Sequence, residues 1–276
     1  MPELPEVETV RRGLERCLVG RRLRHAHVLG RLRTPLDEGE LEAFCAGHEI
    51  ASVRRRAKYL LVAFADGGGL LLHLGMTGSF KVDGGRPEEE RHCRVWWELD
   101  NGLTWRFLDI RRFGQLRLCP GDWSGVGGVP ECLAGLGDEP LEDGFDGARL
   151  LAIGKGRRQA VKQVIMDQRL LVGVGNIYAS ESLFRAGIDP RRPFATLRRR
   201  EADRLATAIR EVLLESIEAG GTTISDFVTL DGSEGGYTVH LRVYGRQGEP
   251  CARCGATLVR MVQGGRSTFF CPHCQK

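Results

Sequence analysis

The sequence predicts an α+β protein: a β-rich N-terminal part opened by one helix, then a helical part, then a small cysteine module. Three observations predict it. Apolar runs separated by turns follow one another from residue 22 to residue 118 with no helical stretch between them, which is the pattern of an antiparallel sandwich or barrel. From residue 148 the apolar period changes to that of helices. Two CxxC pairs then stand at the end of the chain.

Taken in order, Val7, Val10, Leu14 and Leu18 recur at helical spacing and predict one amphipathic helix near the N-terminus. Strands are expected over residues 23–29, 50–64, 69–74, 95–99 and 103–108, with Asn101-Gly102 as a hairpin signal between the last two. Between Pro120 and Gly147, 11 of 28 residues are Pro or Gly, which marks a linker. Helices are expected over 160–167 and 177–186, joined by a Gly-containing turn. Leu205, Ile209, Val212, Leu213 and Ile217 line one face of a further helix, which Gly220-Gly221 stops. The expected organisation is a β domain at 2–120, a linker at 121–147, a helical domain at 148–238 and a metal module at 239–276.

Composition limits the partners. A chain with 42% hydrophobic and 28% charged residues can bury a sizeable core. The longest apolar runs, 59–65 and 70–72, are too short to span a bilayer, so no membrane partner is expected. The opening Met-Pro-Glu-Leu-Pro-Glu is acidic and has no apolar leader, which predicts a cytoplasmic protein. Net charge is only +4, but basic residues cluster at Arg54-Arg55-Arg56-Lys58, Arg111-Arg112, Lys155-Arg157-Arg158-Lys162 and Arg198-Arg199-Arg200. Such clusters serve as a phosphate footprint or simply as solvated charge.

The nine cysteines fall into two sets. Cys17, Cys45, Cys93, Cys119 and Cys132 are scattered, which reads as reduced thiols. Cys251, Cys254, Cys271 and Cys274 form two knuckles enclosing 16 residues, a spacing that lets four thiolates converge on one tetrahedral Zn²⁺. Four protein ligands leave no open position, so this zinc is expected to be structural. Gly264-Gly265 predicts a hairpin between the knuckles, with Arg266 near its tip as either a solvated residue or a phosphate or groove contact.

Asn176 stands where a helix N-cap is expected, an ordinary cap or one whose free N–H groups face a phosphate. Arg54, Arg56 and Lys58 alternate, as residues on one face of a strand do. Lys58, beside the apolar run that follows, is a candidate acid or base. If Met1 is removed, Pro2 carries a free secondary amine. Attack of that amine on a sugar C1′ gives a cationic iminium that acidifies the C2′–H. Glu3 is adjacent and Glu6 lies one helical turn away, yet the same segment reads equally well as a plain helix start.

A resemblance separates these readings. Pro2-Glu3-Leu4-Pro5-Glu6-Val7-Glu8-Thr9, Arg55-Arg56-Ala57-Lys58-Tyr59-Leu60-Leu61 and His73-Leu74-Gly75-Met76-Thr77-Gly78-Ser79 resemble segments of the formamidopyrimidine-DNA glycosylases. So do Arg111-Arg112-Phe113-Gly114, Val172 through Glu181, and Val243-Tyr244-Gly245-Arg246, with the cysteine module following. These motifs run in order along essentially the whole chain.

The resemblance implies an N-terminal antiparallel β-sandwich, a C-terminal helical domain with a helix–two-turn–helix, and a four-cysteine zinc finger holding one structural Zn²⁺. It implies a bacterial enzyme of base excision repair, working as a monomer on double-stranded DNA that contains oxidised purines or abasic sites. The activity is that of a bifunctional DNA glycosylase and abasic-site lyase excising 8-oxoguanine and formamidopyrimidines, in a cytoplasmic, nucleoid-associated protein. Carried over by motif, Pro2 is the nucleophile, Glu3 the proton donor for base release, Lys58 the β-elimination residue, and Arg266 is associated with δ-elimination. Asn176 and Lys58 would hold phosphates, and His92, Arg111 and Arg157 match DNA-contacting positions. Met76, Arg111 and Phe113 would fill the void left by the extruded base.

The chain departs from the pattern in three places. Asp-Pro-Arg-Arg-Phe-Gly becomes Asp109-Ile110-Arg111-Arg112-Phe113-Gly114, His-Asp-His becomes His92-Cys93-Arg94, and a lysine run becomes Gly156-Arg157-Arg158. Alternatives are an endonuclease VIII-type glycosylase for oxidised pyrimidines, and a zinc-ribbon DNA-binding protein without catalysis.

Overall fold

The structure, a computed structural model of the 276-residue chain, describes residues 1–121, 128–223, 230, 232 and 234–276. It divides into two compact units, Met1–Ala134 with Gly220–Gly236, and Gly135–Ala219 with Tyr237–Lys276. The Pro/Gly-rich stretch is thus shared between the units, and its residues 122–127 lie outside the described residues. Residues 220–236, expected with the helical domain, group with the first unit.

The first unit runs α1 (Leu4–Leu18), β1 (Leu23–Val28), α2 (Glu38–Cys45), β2 (Ile50–Arg56), β3 (Tyr59–Phe64), β4 (Gly69–His73), β5 (Gly78–Asp83), β6 (Cys93–Leu99), β7 (Thr104–Asp109) and β8 (Gln115–Cys119). The strands form two four-stranded antiparallel sheets, ordered β1-β6-β7-β5 and β2-β3-β4-β8. Of the two shapes that strand runs without helices allow, this is the sandwich. Leu60, Val62, Phe64, Leu70, Leu72 and Leu116 of one sheet share a core with Val95, Trp97, Trp105 and Phe107 of the other. Trp97 and Trp105 stack with ring centroids 4.0 Å apart. The apolar stripe Val7, Val10, Leu14 and Leu18 seats α1 on this core.

The stretch 50–64, expected as one strand, is a hairpin. Its turn is Ala57-Lys58, where Ala57 adopts φ 55°, a left-handed conformation that the sequence does not announce with Gly or Asn. Lys58 therefore does not share a strand face with Arg54 and Arg56. The helix α2 also escaped the apolar pattern, although Asp37 caps it by accepting the Glu40 N–H at 2.9 Å.

The second unit contains α3 (Gly147–Ile153), α4 (Val161–Ile165), α5 (Asn176–Ala186), α6 (Arg199–Glu218) and the hairpin β9 (Val259–Gln263) to β10 (Arg266–Phe270). The predicted stripe of α6 is buried. The cysteine module packs on α5, with Phe184, Val243, Leu258 and Phe269 in one cluster with Cys251 and Cys271. The buried Glu181 of α5 accepts N–H bonds from Arg242, Val243 and Tyr244 at 2.9, 3.0 and 2.8 Å, fixing the segment that enters the module. Among the described residues, no helix is long and apolar enough to cross a membrane.

The sandwich makes a simple stability prediction. Leu72 is fully buried at the centre of the core, so Leu72→Ala should cost about 2–5 kcal/mol. Urea unfolding of the first unit checks it; a loss below about 1 kcal/mol would mean that this core is not packed as described.

Candidate functional site

In the first unit, Pro2 and Glu3 are buried immediately before α1, with Met1 exposed ahead of them. Glu3 is the N-cap residue, and Pro5 falls within the first turn. The buried Glu6 carboxylate fixes this start twice, accepting the Glu3 N–H at 2.7 Å and the Thr222 N–H at 2.9 Å. The helix is tied in turn to the Lys58 turn. Arg55 donates from Nε to Glu8 at 3.2 Å and from Nη1 to the Ala57 carbonyl at 3.0 Å. One guanidinium thus links the helix that follows Pro2 and Glu3 to the strained turn that bears Lys58.

Lys58 is buried and lies close enough to His73 to influence it. Burial, helped by the charges of Lys58 and Arg33, pushes the His73 imidazole down to about 4. The geometry agrees, because His73 Nδ1 accepts the Gly75 N–H at 3.0 Å. His73 is therefore neutral at physiological pH. It stood inside a quoted motif, but nothing in the sequence marks its burial or the cations around it.

The remaining candidates of this unit gather around one carboxylate. Asp109, fully buried, accepts from Thr77 Oγ1 at 2.5 Å and from the Gly114 N–H at 2.7 Å. Thr77 Oγ1 accepts the Arg111 N–H at 3.0 Å, and the Asp109 N–H donates to the His92 carbonyl at 3.0 Å. The Met76 loop, the Arg111–Phe113 loop and the His92 turn are thereby one scaffold. Gly75 is obligatory in it, since a Cβ there would stand 2.5 Å from the Phe113 carbonyl carbon. On the surface, Met76 and Phe113 are 37% and 41% exposed, large for apolar side chains. Arg111 and Phe113 do not lie along one extended segment, because Arg112 between them adopts φ 60°. The bend nevertheless brings the Arg111 guanidinium over the Phe113 ring at 5.2 Å.

Among the described residues, the non-glycine residues with positive φ are Ala57, His92 and Arg112. Each is a candidate or adjoins one. Such conformations cost about 1–3 kcal/mol and persist where the surroundings over-determine them.

In the second unit, Asn176 is the first residue of α5 and Gly175 occupies the N-cap, one position earlier than expected. The turn before it is laced by Gln168, which accepts the Gly173 N–H at 2.8 Å and donates to the Val174 carbonyl at 3.0 Å. Arg157 is half-buried and Arg266 is exposed at the start of β10. Lys162, grouped by sequence with the basic clusters, is buried instead. Its Nζ donates to Asn176 Oδ1 at 2.7 Å, the Ser267 carbonyl at 3.0 Å and Thr268 Oγ1 at 2.8 Å. It connects the start of α5 to the hairpin that carries Arg266, a role that its neighbours in the sequence disguise.

The four cysteine sulfurs lie within 4.8 Å of one another, with Cys251–Cys274 at 3.9 Å and Cys254–Cys271 at 3.6 Å. Thiolates about 2.3 Å from a tetrahedral zinc stand roughly 3.8 Å apart. The cage fits one zinc ion with no open position, and this zinc is structural.

Comparison with known proteins agrees along the chain. The family model for the formamidopyrimidine-DNA glycosylase N-terminal domain matches residues 1–116, that for the helix–two-turn–helix domain matches 136–228, and that for the zinc finger found in the glycosylase and in isoleucyl-tRNA synthetase matches 248–276. Formamidopyrimidine-DNA glycosylases of Serratia proteamaculans and Stenotrophomonas maltophilia are each 48% identical, covering 100% of both chains. The solved MutM (Fpg) protein of Thermus thermophilus is 42% identical with TM-score 0.84, covering 99% of this chain and 98% of that one. Lactococcus lactis Fpg in complex with abasic-site DNA is 30% identical with TM-score 0.87, covering 99% of each chain.

The His73 environment can be tested by titration. The folded imidazole is depressed to about 4 from an ordinary 6.5. The stability it contributes is therefore full above pH 6.5 and is lost as pH falls from there through the folded value. NMR should show the His73 ring still neutral at pH 5.5; a midpoint at or above 6.5 would refute the buried, cation-flanked site.

Proposed function

Since the chain belongs to the bacterial formamidopyrimidine-DNA glycosylase family, we propose that it excises oxidised purines from duplex DNA with Pro2 as nucleophile, then cleaves the strand by β,δ-elimination. It is a DNA glycosylase of base excision repair, and its partner is double-stranded DNA. What supports the residue roles is that each residue of the family's chemistry stands in this chain, on a segment fixed by buried hydrogen bonds.

The chemistry follows from those residues. With Met1 in place the Pro2 nitrogen is an amide; once Met1 is removed it is a secondary amine. That amine attacks C1′ as the base departs, with Glu3 supplying the proton that base release needs. The resulting iminium withdraws electrons from C2′, so loss of the C2′ proton expels the 3′ phosphate. Lys58 serves this step and Arg266 the second elimination, which expels the 5′ phosphate. A neutral His73 suits this arrangement, because it adds no second cation beside Lys58. Asn176, Arg157, His92 and Lys58 hold phosphates, and Met76, Arg111 and Phe113 occupy the gap left by the flipped nucleotide. Filling that gap offsets part of an unstacking cost of about a few kcal/mol. The structural zinc folds the hairpin that presents Arg266. We place the protein in the cytoplasm, with the nucleoid.

Borohydride trapping tests the nucleophile and also excludes a mere zinc-ribbon binder, which forms no imine. Pro2→Gly, or a tag left ahead of Pro2, should lower the trapped complex by orders of magnitude while DNA binding persists. Undiminished trapping would redirect attention to Lys58.

Arg111 offers donors to the orphaned base, and cytosine presents O2 and N3 acceptors there. Single-turnover excision of 8-oxoguanine should therefore be faster opposite cytosine than opposite adenine, and Arg111→Ala should shrink the ratio. Equal rates in the unaltered enzyme, or an unchanged ratio in the variant, would end this assignment. A preference for oxidised pyrimidines in the same assay would favour the endonuclease VIII type.

A further inference from the structure

The outer face of the second sheet carries two thiols that the glycosylase chemistry does not use. Along β8, Leu116 points into the core, so Gln115, Arg117 and Cys119 share the opposite face. In the ladder, Cys119 pairs with Gly69 of β4, which brings no side chain beside it. A 3₁₀ turn, Glu131–Leu133, comes down on this same face. Its Leu133 is buried, and Leu133 and Cys132 line one small depression with Tyr59, Leu71, His73, Gln115 and Arg117. The Cys132 thiol lies within hydrogen-bonding reach of Cys119.

The two sulfurs differ in setting. Cys132 is exposed, whereas Cys119 is buried. Burial pushes the Cys119 thiol up to about 11, so alone it is a poor nucleophile and poorly reached by a solute oxidant. The exposed partner is the one an oxidant meets first.

We propose that Cys119 and Cys132 are an oxidisable pair that hydrogen peroxide closes into an intramolecular disulfide, pinning the Glu131–Leu133 turn to the outer face of the β4–β8 edge. The Cys132 thiolate attacks the peroxide, the O–O bond breaks, and the products are a sulfenic acid and hydroxide; the proton lost when the thiol ionised converts that hydroxide to water, so that thiol plus peroxide gives sulfenic acid plus water. The Cys119 sulfur then attacks Sγ of Cys132. The S–S bond forms, the S–O bond breaks, and the departing oxygen leaves as a second water with the Cys119 proton. Two thiols lose two electrons and two protons, and one peroxide becomes two waters. Because Cys119 stands within reach, the sulfenic acid is trapped before a second peroxide carries it to sulfinic acid.

The test uses the full-length, zinc-loaded protein, with peroxide at a dose that leaves the zinc bound. After alkylation without reductant, a glutamate-specific protease cuts at Glu131, between the two cysteines. The expected product is the Cys119 and Cys132 peptides joined, two hydrogens lighter than their sum and separated by dithiothreitol. Cys132→Ser and Cys119→Ser should each abolish the joined product while leaving lesion cleavage unchanged. Cys132 accumulating as sulfinic acid with Cys119 still alkylated would overturn the proposal, as would a Cys119 cross-link that survives in Cys132→Ser.

Discussion

A buried charge costs several kcal/mol unless its hydrogen-bonding capacity is met, and the non-regular segments of this protein are organised by that constraint. Asp109 is the clearest case. Sealed from solvent, it is satisfied only when Thr77 and the Gly114 N–H converge on it, and Thr77 in turn receives the Arg111 N–H. Each loop is thereby a partner that the others' charge requires. Glu6 does the same for Glu3 and Thr222, Glu181 for residues 242–244, and Lys162 for Asn176 and β10. Removing any one of these charges leaves several backbone or side-chain groups unpaired.

This arrangement suits chemistry on a flipped nucleotide. The reactive groups of the proposed chemistry must be held within a fraction of an ångström, yet the residues it assigns sit at turns and chain starts, where no ladder of backbone hydrogen bonds runs. The left-handed conformations at Ala57, His92 and Arg112 show the same compromise. Strain of that kind survives because Arg55 clamps the first turn and the Asp109 scaffold holds the other two. Stability is surrendered locally so that side chains point where a regular strand could not aim them.

How much of this the sequence disclosed depended on whether the signal was local. The zinc module was legible because ligand type and spacing are properties of a short segment, and the 3.9 and 3.6 Å sulfur separations match it. The stripe of α1 and the face of α6 were legible for the same reason. The Ala57-Lys58 turn was not, because its conformation is enforced by Arg55 and carries no turn residue of its own. Lys162 looked like one more solvated cation until tertiary packing gave it three acceptors more than 10 residues away in sequence. His73 lay within a recognisable motif, yet its neutrality comes from burial and from Lys58 and Arg33, neither adjacent to it in the chain. The roles proposed for Pro2 and Glu3 rest on resemblance alone, since the same residues make an ordinary helix start.

Two of the three departures from the family's pattern, those at residues 92–94 and at Ile110, are absorbed within the Asp109 scaffold. Where the family's His-Asp-His becomes His92-Cys93-Arg94, Cys93 and Arg94 both turn inward. The Arg94 Nε donates to the Asp109 carbonyl at 2.8 Å, so its charge is spent inside the protein. His92 is then the half-buried member of the triplet, in a left-handed conformation at the turn. Ile110 replaces a proline whose ring would have restricted both itself and the residue before it. That residue is Asp109, already fixed through its carbonyl by Arg94, through its N–H by His92 and through its carboxylate by Thr77 and Gly114. With the backbone held from both sides, the rigidity a proline supplies is redundant, and the Ile110 side chain stands 55% exposed. Like Met76 and Phe113, it is a large apolar side chain left exposed on a loop whose direction the buried carboxylate has already set.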